Sequence, residues 1–261
     1  MNAADSPGHA AQIADQFTRQ AAGFAAAPEL HNDDVLALLT TAGNPRRGDR
    51  MLDVACGPGS VVVAFAPHVA RATGLDTTEA MLDEARKLSQ ARQLDNVEWR
   101  QGSAYALPFG DASFEIVATR FALHHLENPA AAFQEIVRVA SRGARIVMCD
   151  AVASDEPARA KAFNEMERWR DPSTVEFRTL GYLQALFDAT GLPAPTLTRF
   201  QVPYLAHEFV ARSFPARDDR AGLLALIERS VEGDLLGMNA RRLDDGVHIA
   251  FQAVVLTAVK G

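Results

Sequence analysis

The run "RMLDVACGPG", Arg50 to Gly59, restricts this chain more than any other stretch. It follows the turn "NPRRGD" and leaves no room for a helix before the glycines, so it reads as a strand entering a tight turn. "SVVVAFAPHV" then reads as a helix, "RATGLD" as a second strand, "TTEAMLDEARKLSQARQL" as an amphipathic helix capped by Thr77 or Thr78, and "NVEWRQG" as a third strand. "SFEIVATRFA" and "ARIVMCD" are two more strands. The helix between them starts at Asn128-Pro129 and is expected to bury Phe133, Ile136, Val137 and Ala140. Strands alternating with helices are joined by right-handed crossovers, which predicts an α/β fold with a doubly wound, Rossmann-like parallel sheet. Ahead of it, Ile13, Phe17, Ala21 and Phe24 recur at helical spacing, and a second helix runs through Val35, Leu36, Leu38 and Leu39.

In such sheets ligands bind beyond the carboxyl ends of the strands, where strand order reverses, and the glycine run lies there. Gly57 and Gly59 permit a sharp turn and close approach of a ligand to the backbone, although a tight strand–helix connection uses glycines in the same way. Asp76 ends the second strand about 20 residues further on, where a carboxylate accepts hydrogen bonds from ribose hydroxyls. Asp53 and Asp76 together point to a nucleoside-containing cofactor. A dinucleotide fingerprint needs a third glycine three residues beyond the second, and Val62 occupies that position.

The formal net charge of −7 argues against a broad electrostatic contact with nucleic acid, so the expected partner is a small molecule. Only two cysteines occur, Cys56 and Cys149, without metal or disulfide spacing, and no metal site is expected. No basic segment leads into an apolar core at the start, and no apolar run reaches the length of a membrane span. A cytoplasmic protein, monomeric or homodimeric and free of membrane, is the expectation.

"LDVACGPGS", "GLDTTEAMLDEAR", "NVEWRQGSAYALPFGDASFEIV" and "FALHHLENPAAAFQEIVRV", in that order, resemble the class I S-adenosylmethionine-dependent methyltransferases. The resemblance is to the small-molecule branch that includes the ubiquinone/menaquinone-biosynthesis methyltransferases. It implies S-adenosylmethionine as cofactor and a seven-stranded sheet whose last strand is antiparallel. "TLTRFQVPYL" and "VHIAFQAVVLTAV" supply the last two strands, with a mostly helical excursion between them. The resemblance also implies that Asp53 and the backbone of Ala55, Gly57 and Gly59 meet the methionine moiety and Asp76 the ribose. Thr77 would lie alongside, with Met81 on the adenine face and Ser103 and Ala104 beside the adenine. Two departures stand out. Ser103 replaces the usual aspartate, and "ASRGAR" keeps only Gly143 of the usual Pro-Gly-Gly.

Residues 1–45 are expected to form a helical lid, and residues 46–261 the cofactor-binding domain, with cap insertions at about 155–178 and 206–245. Phe17, Phe24, Phe121, Trp169 and Phe177 are candidates for the substrate pocket, although aromatic side chains also serve as plain core. Methyl transfer needs a base only when the acceptor must lose a proton, and His124 and His125 follow the fourth strand, at the reacting edge. Both histidines can equally cap a helix or fill a loop. Arg120, ending that strand, can hold substrate or cofactor or form an ion pair, and His125 can also shape the cofactor pocket. The expected activity is methylation at O, N or C of a small, partly apolar or aromatic molecule. The alternatives are a non-methylating reaction on the same fold, such as cyclisation or dehalogenation, and a non-catalytic nucleoside-binding protein.

Overall fold

The glycine-terminated run is strand β1 (Arg50–Val54), and it lies in the middle of the sheet. The computed structural model describes residues 4–27 and 32–261; residues 1–3 and 28–31 of the expected lid lie outside the described residues. Helices α1 (Pro7–Ala25) and α2 (Asp33–Gly43) come first. After β1 follow α3 (Ser60–Phe65), β2 (Arg71–Asp76), α4 (Glu79–Ala91), β3 (Val97–Gln101), β4 (Phe114–Arg120), α5 (Pro129–Val139) and β5 (Ala140–Ala151). The chain ends with α6 (Pro157–Arg170), α7 (Leu180–Ala189), β6 (Thr196–Leu205), α8 (Ala206–Ala211), α9 (Arg220–Arg229), β7 (Arg241–Leu243) and β8 (Gly246–Val259).

Strand order is β3-β2-β1-β4-β5-β8-β6, with β7 attached to β8. The pairs β1–β2, β2–β3, β1–β4 and β4–β5 are parallel, and β8 runs antiparallel to both β5 and β6. The expected doubly wound sheet with an antiparallel last strand is therefore present. One element differs. The excursion expected to be mostly helical also contains β7, which pairs Leu243 with Gly246 across Asp244 and Asp245. Gly246, at φ 137°, closes that two-residue hairpin, a conformation that side-chain-bearing residues avoid.

Strand order reverses between β1 and β4, so their carboxyl ends diverge into a crevice. The core beneath it is apolar. Leu52, Val117 and Ile146 on neighbouring strands are at most 1% exposed and pack against α5. The buried face of α5 is Ala132, Phe133, Ile136 and Val139, not Val137 and Ala140 as the spacing suggests. Val137 is half-buried. Ala140 is buried, but as the first residue of β5 opposite Phe114, because the chain passes from helix to strand without a turn. Ile136→Val removes one methylene from this wall and is expected to lower stability by about 1 kcal/mol. Urea unfolding midpoints measure it, and an unchanged midpoint would mean the wall is loosely packed.

At the amino ends of the strands, Arg145 of β5 pairs with Asp49 before β1 and donates from Nε to the Gly43 carbonyl at 3.0 Å, fastening the end of α2.

Candidate active site

Four strands each bring one charged side chain to the crevice: Asp53 from β1, Asp76 from β2, Arg120 from β4 and Asp150 from β5, all buried. The turn after β1 takes positive φ at Ala55 (58°), Gly57 (52°) and Gly59 (85°). Asp76 holds this turn in place. Its Oδ2 accepts from the Gly57 N–H at 2.8 Å, and its Oδ1 accepts from the Thr78 N–H at 2.9 Å. Burial raises the Asp76 carboxyl, opposed by these N–H donors. Thr78 occupies the N-cap position of α4, but its hydroxyl caps no N–H; the Asp76 carboxylate takes the Thr78 N–H instead.

Asp53 is 1% exposed, and its Oδ1 has no hydrogen-bond partner. Burial pushes its carboxyl well above the usual range, with the Arg120 guanidinium pulling the other way. A carboxylate oxygen left unpaired in a buried wall calls for a donor from a ligand. Asp53 lines a cavity together with Ala55, Gly57, Asp76, Thr77, Met81, Ser103, Ala104, Arg120, Phe121 and His125. Gly59 does not line it. A Cβ there would lie 2.5 Å from the Trp99 ring and 2.9 Å from Ala85, so this glycine serves the packing of β3 on α4. The Ser103 hydroxyl accepts from the Tyr105 N–H at 3.2 Å, closing the loop at the position where the resembled family usually has an aspartate.

A second chamber of about 290 Å³ adjoins the first, near the lower end of small-molecule pockets (~300–1,000 Å³). Phe17, Phe24, Arg120, Phe121 and His125 line both. His124, Phe177, Tyr204, Phe209 and Phe251 belong to the second alone. Trp169 lines neither. Helix α6 turns Phe163, Met166 and Glu167 inward, which leaves Trp169 on its flank, packed in the core beneath the chamber. Tyr204, Phe209 and Phe251 escape the sequence reading because β6, α8 and β8 converge only in the fold; each alone is an ordinary aromatic residue.

The two histidines have different surroundings. His124 donates from Nδ1 to Asp150 Oδ1 at 2.8 Å and stacks on Phe177 at 4.0 Å and 14°. Asp150 also accepts from the N–H groups of Leu123 and Ala151, so it is held by three donors. His125 donates from Nδ1 toward the Ser173 carbonyl and hydroxyl, each at 3.1 Å, and that hydroxyl donates to Asp171 at 2.5 Å. Burial, then the adjacent His124, lower the His125 imidazole to about 3. Asp150 was missed, yet it ends an apolar strand as Asp53 and Asp76 do, and that pattern was the available signal.

Helix α1 crosses both cavities. Ile13, Phe17 and Phe24 face them, while Gln16 donates to the Phe214 carbonyl at 3.2 Å and Gln20 to Asp171 at 3.4 Å. The segment before the helix is fastened as well. Asp5 accepts from the Tyr105 hydroxyl at 2.5 Å and from the Glu127 N–H at 2.9 Å, and in the first turn of α1 His9 Nε2 donates to the His125 carbonyl at 2.7 Å. Among the described residues no His, Cys, Asp and Glu side chains cluster as metal ligands, and no helix is long and apolar enough to cross a membrane.

A family model described as a methyltransferase domain matches residues 52–148. The uncharacterized methyltransferase YcgJ of Bacillus subtilis (strain 168) is 29% identical over 227 residues, which cover 86% of this chain and 90% of YcgJ. The crystal structure of YcgJ superposes with a TM-score of 0.80 at 26% identity, over 88% of this chain and 99% of that one. YafE of Escherichia coli (strain K12) is 32% identical over 59% of this chain and 74% of YafE. The ubiquinone/menaquinone biosynthesis C-methyltransferase UbiE of Roseobacter denitrificans is 36% identical over 46% of this chain and 49% of its own length.

Proposed function

This chain belongs to the S-adenosylmethionine-dependent methyltransferases, and from that membership we propose that it methylates an oxygen, nitrogen or carbon of a small, partly apolar or aromatic acceptor. The observation that carries this reading is the shared wall. A cavity holding an orphaned carboxylate and a positive-φ turn opens, past Arg120, Phe121 and His125, onto an aromatic chamber.

In this proposal Asp53 Oδ1 takes the ammonium of the cofactor's methionine moiety. The backbone of Ala55 to Gly57 lies against the same end, and Asp76 and Thr77 meet the ribose. Met81 packs on the adenine with its polarizable thioether, beside Ser103 and Ala104. The bound cofactor supplies an electrophilic methyl group on a sulfonium. The protein's own work is positioning and exclusion of water, which provide most of the rate in a displacement of this kind. Phe17, Phe24, Phe121 and Phe177 wall the acceptor in, and residues 1–45 act as the lid. Arg120, between the two cavities, orients the acceptor, and of the two histidines His124 is placed to act on it. A cytoplasmic monomer or homodimer belongs to the same proposal, supported by two free, buried cysteines.

Isothermal calorimetry with S-adenosylhomocysteine tests the reading: saturable binding is expected, together with no thermal shift from NADH. Absence of binding would remove it. Gly57→Val gives a sharper test. No atom lies within 4 Å of a Cβ at Gly57, so the valine has open space around it, but at φ 52° its backbone is strained. The expected outcome is a stability loss of about 1–2 kcal/mol and affinity for S-adenosylhomocysteine at least about tenfold weaker. Wild-type affinity in a folded variant would show that the ligand lies elsewhere.

A further inference from the structure

Among the described residues three carboxylates line the cofactor cavity, Asp5, Asp53 and Asp76, and the methyltransferase reading uses only the last two. Asp5 is half-buried and reaches the cavity from the segment ahead of α1, outside residues 52–148 that match the methyltransferase domain. Its Oδ1 accepts from the Tyr105 hydroxyl and the Glu127 N–H, and its Oδ2 accepts from no described residue. The carboxylate is held in place. Tyr105 is itself fixed, because its hydroxyl accepts from the Asn128 N–H at 3.2 Å. Burial, then the bond to Asp5, raise that hydroxyl, so it stays protonated and remains a donor. The next residue, Ser6, donates from its hydroxyl to Glu127 at 3.2 Å, a second tie between the segment and the loop after β4.

Tyr105 closes the loop whose Gly102, Ser103 and Ala104 line the same cavity, so Asp5 stands at the end where the adenine is placed. Those three residues bring no charge there. A carboxylate oxygen is an acceptor only, and it needs a donor from the ligand. In the methyltransferase reading the ligand's ammonium goes to Asp53 and its ribose hydroxyls to Asp76. The donor that remains is the 6-amino group of the adenine.

We propose that Asp5 is a cofactor-selecting residue carried by the lid: its Oδ2 accepts from the 6-amino group of the adenine while its Oδ1 stays fastened to Tyr105 and Glu127. The bond to the base and the latch of the lid then meet on one carboxylate, so a base bearing the amino group also fastens the segment ahead of α1. A base without that donor leaves Oδ2 unpaired against the ligand, which costs affinity. This inference rests on the methyltransferase reading and adds to it a base-recognising residue from outside the matched domain.

Isothermal calorimetry on the full chain compares S-adenosylhomocysteine with its analogue whose base is purine, lacking the 6-amino group. Wild type is expected to bind S-adenosylhomocysteine at least about tenfold more tightly than the analogue. Asp5→Asn keeps an oxygen for Tyr105 and the Glu127 N–H but turns an amide donor toward the base. It should bind the two ligands within about threefold of each other, with the loss falling on S-adenosylhomocysteine. Asp5→Ala should lose the preference in the same way, which keeps the test open if the amide turns over. A purely structural latch would instead weaken both ligands equally and leave the ratio at its wild-type value, and that result overturns the proposal. Hydrogen exchange reads the lid: S-adenosylhomocysteine should protect the first turns of α1 more than the purine analogue does, and equal protection would overturn the coupling. The two levels separate cleanly. No binding of S-adenosylhomocysteine to wild type removes the methyltransferase reading and this inference together, whereas binding without preference between the ligands defeats only this inference.

Discussion

His124→Gln lowers turnover of the acceptor by about 10²–10⁴-fold, the usual contribution of a positioned general base, or roughly 3–5 kcal/mol of barrier. Affinity for S-adenosylhomocysteine stays near wild type, because His124 lines the acceptor chamber and not the cofactor cavity. His125→Gln behaves differently. Its imidazole lies near 3, held down by burial and by His124, so it is neutral throughout the working range. Its side chain also packs edge-on against Phe17 at 4.9 Å and lines both cavities. Its loss should weaken cofactor binding and slow turnover by less than about tenfold, well short of a base effect. Single-turnover rates and calorimetry on both variants decide the assignment. Equal turnover losses with intact cofactor affinity in both would contradict it.

Asp76→Ala is expected to weaken S-adenosylhomocysteine binding by about 10²–10³-fold. Two hydrogen bonds from ribose hydroxyls to a carboxylate contribute about 1.5–3 kcal/mol each, and part of that is returned when water occupies the gap. The same carboxylate holds the Gly57 and Thr78 N–H groups, so the variant also loosens the turn after β1. Asp76→Asn separates these contributions. It keeps an oxygen acceptor for one N–H while removing the charge, so its affinity should fall between those of wild type and Asp76→Ala. Calorimetry measures all three, and an Ala variant within about threefold of wild type, less than 1 kcal/mol, would remove Asp76 from the cofactor site.

Most of the sheet was legible because a parallel strand buried on both faces is a short apolar run, and turns interrupt such runs visibly. β2 and β6 match the sequence reading residue for residue. The places where it failed are instructive. Val137 and Val139 lie on different sides of the helix, and the face that turns inward carries Val139, three residues past Ile136, while Val137 stays half-buried. Gln16 and Gln20 share the helical face of Ile13, Phe17 and Phe24, and only the fold supplies what they need there: at 1% and 7% exposed, they donate to the Phe214 carbonyl and to Asp171. Gly59 carries the same sequence signal as Gly57 but answers to Trp99, a contact across the sheet face that no local pattern encodes.

The sequence by itself determined the alternation of strands and helices, the left-handed turn after β1, and the acidic residues that close β1 and β2. Each of these depends on backbone conformation or side-chain periodicity within a few residues. Only the tertiary structure decided which histidine faces a carboxylate and which a hydroxyl. Neighbours in the chain, His124 and His125 are separated chemically by partners 26 and 48 residues away, Asp150 and Ser173. The aromatic chamber was settled at the same level, since Phe17, Phe177, Tyr204 and Phe251 meet only when α1 lies across the sheet and the antiparallel β8 brings its side chains beside β6. The charge state of a buried group and the shape of a cavity depend on every element around them, and that information is spread over the whole chain.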